Sequence, residues 1–308
     1  MDLFLQIATQ LLNGVQYGVL LFLLAAGLTL VFGIMSFVNL AHGSLYMMGA
    51  YFSALGYEYG GNFFWAVVAA LGGCAVLGMA LERLVVARLY RRDHLDHVLA
   101  TFGLVLFFNE LVRILFGPQP YFLPLPSFLE GSIEIMGANY PAYRLAIIVS
   151  GLLVAAGAQW MINGTRLGML IRAGAVNPAM VGALGINIGL LNGLLFAIGA
   201  VLAGLAGVMA GPILSIQSGM GEPVLIATLV VIVIGGIGSI RGALYAALIV
   251  GIADTLGRAF LPQIFRTLMD REAATAAGPA VASMLVYVLM AVVLAVKPNG
   301  LFPAGGKS

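Results

Sequence analysis

The sequence predicts an all-α fold, a polytopic transmembrane helical bundle of about 8–9 spans, and three observations predict it. Of 308 residues, 62% are hydrophobic and only 8% are charged, against about 25% charged in an ordinary soluble domain. No water-soluble fold has interior enough to hide that much apolar surface. The charges are also spaced, because 3–57, 59–81, 145–165, 173–221 and 273–296 contain no Asp, Glu, Lys or Arg. About 20 apolar residues make a helix that crosses a bilayer. Gly and Pro clusters then cut these runs into segments of that length.

Taken in order, the predicted spans are 11–34, 39–57, 62–84, 97–117, 144–163, 188–211, 223–240, 242–257 and 279–297. Asp2 is the only charge before Glu58, so the first run lacks the basic leader of a signal peptide and reads as a retained span. Arg83, Arg88, Arg91 and Arg92 separate the third and fourth spans. By the positive-inside tendency that loop is cytoplasmic. Parity then places the N-terminus outside and Arg166, Arg172, Arg241, Lys297 and Lys307 inside, with the Pro-rich loop 117–143 outside. The stretch 258–278 holds Arg258, Arg266 and Arg271, yet nine spans leave it outside. Either Asp270 and Glu272 offset those charges, or 223–257 is not two full crossings and the count is eight.

The loop 117–143 carries Pro118, Pro120, Pro124, Pro126 and Pro141, which suit an ordered external cap or a spacer. In 164–187, Pro178 suits the first turn of a short helix, so this loop reads as a docking element on the cytoplasmic face. Gly199, Ala203, Gly207 and Gly211 recur every four residues in the sixth span, letting a helix of this chain or of a partner approach closely. Gly235, Gly236 and Gly238 interrupt the seventh. Irregular backbone at membrane depth survives only where protein or a water-filled cavity covers it, which places this segment toward the protein interior.

Most chemistry is excluded. A net charge of +2 with scattered bases is not a nucleic-acid surface. The lone Cys74 excludes an internal disulfide framework and reads as a small buried hydrophobe. His42 lies in a span, while His94 and His97 sit with Asp93 and Asp96 in what reads as a solvated, charge-mixed loop; no metal-ligand spacing occurs. Gly305-Gly306-Lys307-Ser308 resembles the end of a phosphate loop, but Leu301 stands where its first glycine belongs and no helix follows. ATP cannot bind this chain by that route.

Intramembrane polar groups are costly and therefore informative. Glu110 and Arg113, three apart, can neutralise each other on one helix face near its outer end, as a structural pair or as a gate. Asp254 is similarly ambiguous. Asn39, His42 and Ser44 form a polar island, and Asn109 is a further buried amide; they line a translocation path or bond helices together. The scarcity of ionisable groups in the spans and the lack of a two-half repeat disfavour an ion-coupled carrier and suggest a pathway powered from outside the chain.

The segments reached so far resemble the permeases of branched-chain amino acid ABC transporters, LivH type. The matching stretches, in family order, are 27–33 (GLTLVFG), 39–43 (NLAHG), 165–168 (TRLG), Arg172-Ala173, 184–187 (LGIN), 235–243 (GGIGSIRGA) and 297–302 (KPNGLF). Each is weak alone; the ordered set is specific and covers nearly the whole chain. The resemblance implies one permease domain over 1–308, with a coupling loop at about 164–187 in which Arg166, Arg172, Asn177, Pro178, Gly182 and Gly185 meet the ATPase. Asn39, His42, Ser44, Asn109 and Glu110 remain the candidates for lining the path, and the resemblance implies a place in the bacterial inner membrane. Its partners would be a second homologous permease, two cytoplasmic ATPase subunits holding the ATP, and a periplasmic solute-binding protein. This chain would bind no cofactor and no metal. Branched-chain or related small amino acids are the expected cargo, with urea or short amides, or a stand-alone carrier or channel, as alternatives. Leu40 stands where the family tends to have Phe, Met169 where a basic residue lies near, and Asn177 where an acidic one does. The docking surface here is accordingly less charged.

Overall fold

The computed structural model describes residues 3–35, 37, 39–90, 92–135 and 137–302. Arg91 of the basic cluster, Lys307 and the tail 305–308 lie outside the described residues. The helices are α1 (Leu3–Met35), α2 (His42–Gly60), α3 (Phe63–Leu81), a π-helical turn (Glu82–Val86), α4 (Ala87–Leu89), α5 (His94–Phe116), α6 (Ala142–Gly164), α7 (Arg166–Val176), α8 (Pro178–Ala183), α9 (Ile188–Ala210), α10 (Gly221–Gly235), α11 (Ile240–Phe265) and α12 (Arg271–Val296). Between α5 and α6, β1 (Ser132–Ile135) and β2 (Ala138–Pro141) form an antiparallel hairpin that turns on Gly137 at φ 84°. The Pro-rich loop is thus ordered, and it adds a two-stranded sheet to a chain expected to be all helix. Five prolines keep that loop out of α-helix, leaving one 3-10 turn at Ser127–Leu129 and extended stretches free to pair.

Among the described residues, seven helices are long and apolar enough to cross a membrane, and they fall in α1, α3 to α4, α5, α6, α9, α11 and α12. The two other places where the sequence predicts spans hold different helices. At 39–57 the chain builds α2, whose 19 residues include His42, Ser44, Tyr46, Ser53, Tyr57 and Glu58 and are less apolar than the rest. At 223–240 it builds α10, which stops at Gly235 after 15 residues, about 22 Å of helix against a hydrocarbon core of about 30 Å.

Contacts divide the chain into two units. In the unit of Leu23–Pro126 and Val154–Ala227, α2, α3 and α9 pack on one another along glycine seams. A Cβ at Gly49 would fall 2.4 Å from Gly204 Cα, and one at Gly207 would fall 2.2 Å from the Tyr46 carbonyl. The small-residue stripe of α9 therefore meets neighbours in this chain: Gly199 faces Gly27 of α1, and Gly207 faces α2. Cys74 is buried in the same seam, its thiol donating to the Leu45 carbonyl.

In the unit of Met1–Phe22, Ser127–Leu153 and Thr228–Ser308, Gly14 and Gly18 of α1 lie against Ile252 and Ala247 of α11 at comparable closeness. Asp254 is buried and bonded to Arg258 Nε at 2.8 Å, and Arg258 reaches Ser283 of α12, so the ambiguous acid is a helix-joining pair. The broken end of α10 is covered: Leu301 and Phe302 N–H groups donate to the carbonyls of Ile234 and Gly235 at 2.8 and 3.0 Å. Gly236, at φ 99°, leaves room for that segment.

Overpacking a filled site costs about 1–3 kcal/mol. Gly207→Val should lower the thermal unfolding midpoint of the detergent-solubilised chain markedly. By contrast, Gly182→Ala, whose nearest neighbour would be Ile188 Cγ1 at 3.7 Å, should leave it unchanged or raise it slightly.

Candidate functional site

α2 starts beside the middle of α1, not at its end. The His42 ring is fully enclosed, and its Nε2 lies 3.2 Å from the Leu24 carbonyl, which can only accept, so this nitrogen carries the proton. Leu24 precedes the end of α1 at Met35 by eleven residues, about 16 Å along the axis. Gly43 in the next position abuts Gly221, the first residue of α10: a Cβ at Gly221 would fall 2.2 Å from the Gly43 carbonyl. Two helix starts thus meet inside the bundle. Ala41 gives α2 no side-chain cap, and helix N-termini carry partial positive charge.

A small, mostly apolar pocket opens at this meeting point, where Leu40, Met47, Val105 and Leu225 surround Gly43, Ser44, Asn109, Gly221 and Glu222. Asn109 of α5 donates through Nδ2 to the Glu222 carboxylate, and Ser218 donates to the Asn109 carbonyl at 3.0 Å. Of the predicted path residues, the fold brings together Ser44 and Asn109, whereas the His42 ring turns to Leu24 and Gly27 of α1. Asn39 is buried just before α2, and neither its amide nitrogen nor its oxygen has a hydrogen-bond partner. Glu110 does not join this group: it faces outward on α5, bonded to Arg113 at 3.2 Å with both side chains more than half exposed. One residue of register on a helix is about 100° of rotation, which is why adjacent Asn109 and Glu110 part company. The pocket measures about 10 Å³, room for one water at most, so in this conformation it is closed to any amino acid.

Glu222 was not among the sequence candidates. As the lone acid in Gly219-Met220-Gly221-Glu222-Pro223, after 49 uncharged residues, it reads as the flank of a span; the signal available was Gly and Pro punctuation around an acid at a helix start.

The segment between α6 and α9 is built from caps. Thr165 Oγ1 accepts from Gly168 N at 3.1 Å, Asn177 Oδ1 from Met180 N at 3.0 Å, and Asn187 Oδ1 from Leu190 N at 3.0 Å. Pro178 opens α8 as the sequence predicts, and Gly185 ends the turn after it at φ 86°. α7 buries Leu167, Leu170 and Ile171 against Leu191 and Leu195 of α9. Its other side is open, and Met169, Val176, Met180 and Leu184 are all exposed. Arg166 and Gly182 are exposed as well, whereas Arg172 bends back and donates to the Ile162 carbonyl at the end of α6.

His97 is not in a solvated loop. It lies in the first turn of α5, buried, with Nε2 at 2.9 Å from the Leu89 carbonyl and its ring 4.6 Å from Phe37. The charge-mixed sequence hides this because α5 begins at His94, so His97 falls on the inward face. Among the described residues no group of three His, Cys, Asp or Glu could hold a metal.

Long apolar helices, with two internal helix starts meeting at a small pocket, define a polytopic membrane protein. The family of the branched-chain amino acid transport system permease component matches residues 10–294, and the chain belongs to it. It is 29% identical to the high-affinity branched-chain amino acid transport system permease protein LivH of Salmonella typhimurium, over 97% of this chain and 96% of the relative. LivH of Escherichia coli K12 gives the same identity and coverage. Against the corresponding permease protein BraD of Pseudomonas aeruginosa the identity is 31%, over 80% of this chain and 85% of the relative. No solved structure matches.

A typical intramolecular hydrogen bond contributes about 0.5–1.5 kcal/mol net, the fitting scale for Asn109 and Glu222, which are both half-buried. Glu222→Leu, which strands the Asn109 amide, should destabilise the chain by that amount in thermal unfolding, while Glu222→Gln, which keeps an acceptor, should not.

Proposed function

We propose that the chain is the pore-forming permease subunit of an ATP-driven importer for branched-chain or related small amino acids, acting as one unit over its full length. The observation that carries this reading is the meeting of the α2 and α10 starts at Gly43 and Gly221 beside Ser44, Asn109 and Glu222. In transporters built on discontinuous helices, substrate sites form at such breaks, where N-termini favour an anionic group. A zwitterionic amino acid offers a carboxylate to the helix starts and an ammonium to Glu222. The unpaired amide of Asn39 fits a group that bonds a passing solute or its water. With α2 and α10 counted as broken crossings, the chain crosses the bilayer eight or nine times, in the bacterial inner membrane.

The exposed apolar face of Met169, Val176, Met180 and Leu184 supports 164–187 as the docking element for a cytoplasmic ATPase. Two such ATPases, a second homologous permease and a periplasmic binding protein complete the assembly. Hydrolysis belongs to the ATPases, and no catalytic set is needed here. Selection of the solute rests with the binding protein, so urea or a short amide as cargo would show in what that partner binds.

In proteoliposomes, the purified chain alone should neither hydrolyse ATP nor accumulate leucine, while the complete assembly should do both. Leucine uptake by the lone chain under an ion gradient would replace this reading with a secondary carrier or channel. In the assembly, Arg172→Glu, which reverses the charge that ties α7 to α6, and Gly182→Asp on the exposed side of α8 should uncouple ATP hydrolysis from uptake without blocking membrane insertion. Unchanged uptake in both variants would remove the docking role from this segment.

A further inference from the structure

Glu82 is a carboxylate that neither the path nor the docking face uses, and it is 2% exposed. It opens the π-helical turn that ends α3, and π-turns inside helices concentrate at functional positions. Its Oε1 accepts from the Tyr90 hydroxyl at 2.8 Å. Asn192 of α9 hydrogen-bonds the same hydroxyl, which also lies 3.6 Å from Met35 Sδ at the end of α1. On its far side the carboxylate is closed in by α9, because a Cβ at Gly193 would fall 3.2 Å from Glu82 Oε2. Burial, and then the bond to Glu82, holds the Tyr90 phenol proton well above its ordinary range, so the hydroxyl stays a donor. An open cavity of about 610 Å³ is lined by Tyr90 and Asn192 together with Gly174, Pro178 and Ala179 of the α7–α8 region.

A buried carboxylate is expensive unless it is hydrogen-bonded, and a charge-assisted O–H bond is the kind that holds it. The bond is therefore made or broken as a whole, and packed elements that depend on it have discrete positions and not a continuum. We propose that Glu82, Tyr90 and Asn192 are positioning residues that lock the end of α3 to the start of α9, and that the neighbouring cavity gives the α7–α8 segment room to move when the lock opens. The consequence for transport rests on the importer reading above; the lock itself does not.

Two measurements test it. In the reconstituted assembly, Tyr90→Phe, which removes only the hydroxyl and keeps the ring on Phe37, should cut uptake per ATP hydrolysed by about fivefold or more, with hydrolysis itself maintained. Glu82→Gln, which keeps an acceptor for Tyr90, should stay near the parent ratio. An unchanged ratio in Tyr90→Phe, or uptake and hydrolysis falling in parallel in both variants, would overturn the positioning role. In the purified chain alone, hydrogen exchange of 174–192 should quicken in Tyr90→Phe while that of 42–60 holds, and equal exchange in both proteins would overturn the lock. Failure of the parent assembly to couple ATP to uptake would instead count against the importer reading and leave the exchange measurement to decide the lock.

Discussion

Backbone groups without water beside them must find partners inside the chain. That obligation governs where this protein can break a helix. At the end of α10 the carbonyls of Ile234 and Gly235 are met by N–H groups of Leu301 and Phe302, so the interruption at Gly236 to Gly238 is closed by an irregular segment far along the chain. At the start of α2 the backbone is brought against Gly221, and polar side chains gather where the helical pairing lapses. A site made in this way needs no catalytic group, only helix ends and a few oxygen and nitrogen atoms kept out of lipid.

The breaks are held in place by glycine. Lipid gives helices no hydrophobic reason to associate, so close van der Waals contact does that work. Gly49 against Gly204, Gly207 against Tyr46, and Gly27 against Gly199 are approaches that one methyl group would prevent. These seams carry α2 deep between α1, α3 and α9, which is how a helix containing His42, Ser44, Tyr46 and Ser53 is kept among apolar neighbours. The closed pocket at Ser44 and Asn109 and the larger cavity beneath α7 and α8 mark different kinds of space: the first excludes solute, the second leaves room for a segment to shift.

Long apolar runs make the seven full-length helices readable directly, since hydropathy averages over a whole turn pattern and tolerates error at the ends. The caps of α7, α8 and α9 are equally readable, because Thr165, Asn177 with Pro178, and Asn187 act within four residues of themselves. Ser44 and Asn109 are legible as polar groups in apolar surroundings. Glu222 and the Glu82 to Tyr90 bond are not, because each sits at the edge of a run, where a charge reads as an ordinary flank. His97 misleads for the same reason: neighbouring charges say solvent, and only the face of α5 says burial.

What the sequence determined by itself is the class: a membrane helical bundle and its family, both consequences of composition and ordered short stretches. What the tertiary structure decided is which helices are broken and which polar residues face one another. Those outcomes depend on approaches of a few ångströms between glycines far apart in the chain, and no local pattern encodes the partner of a glycine.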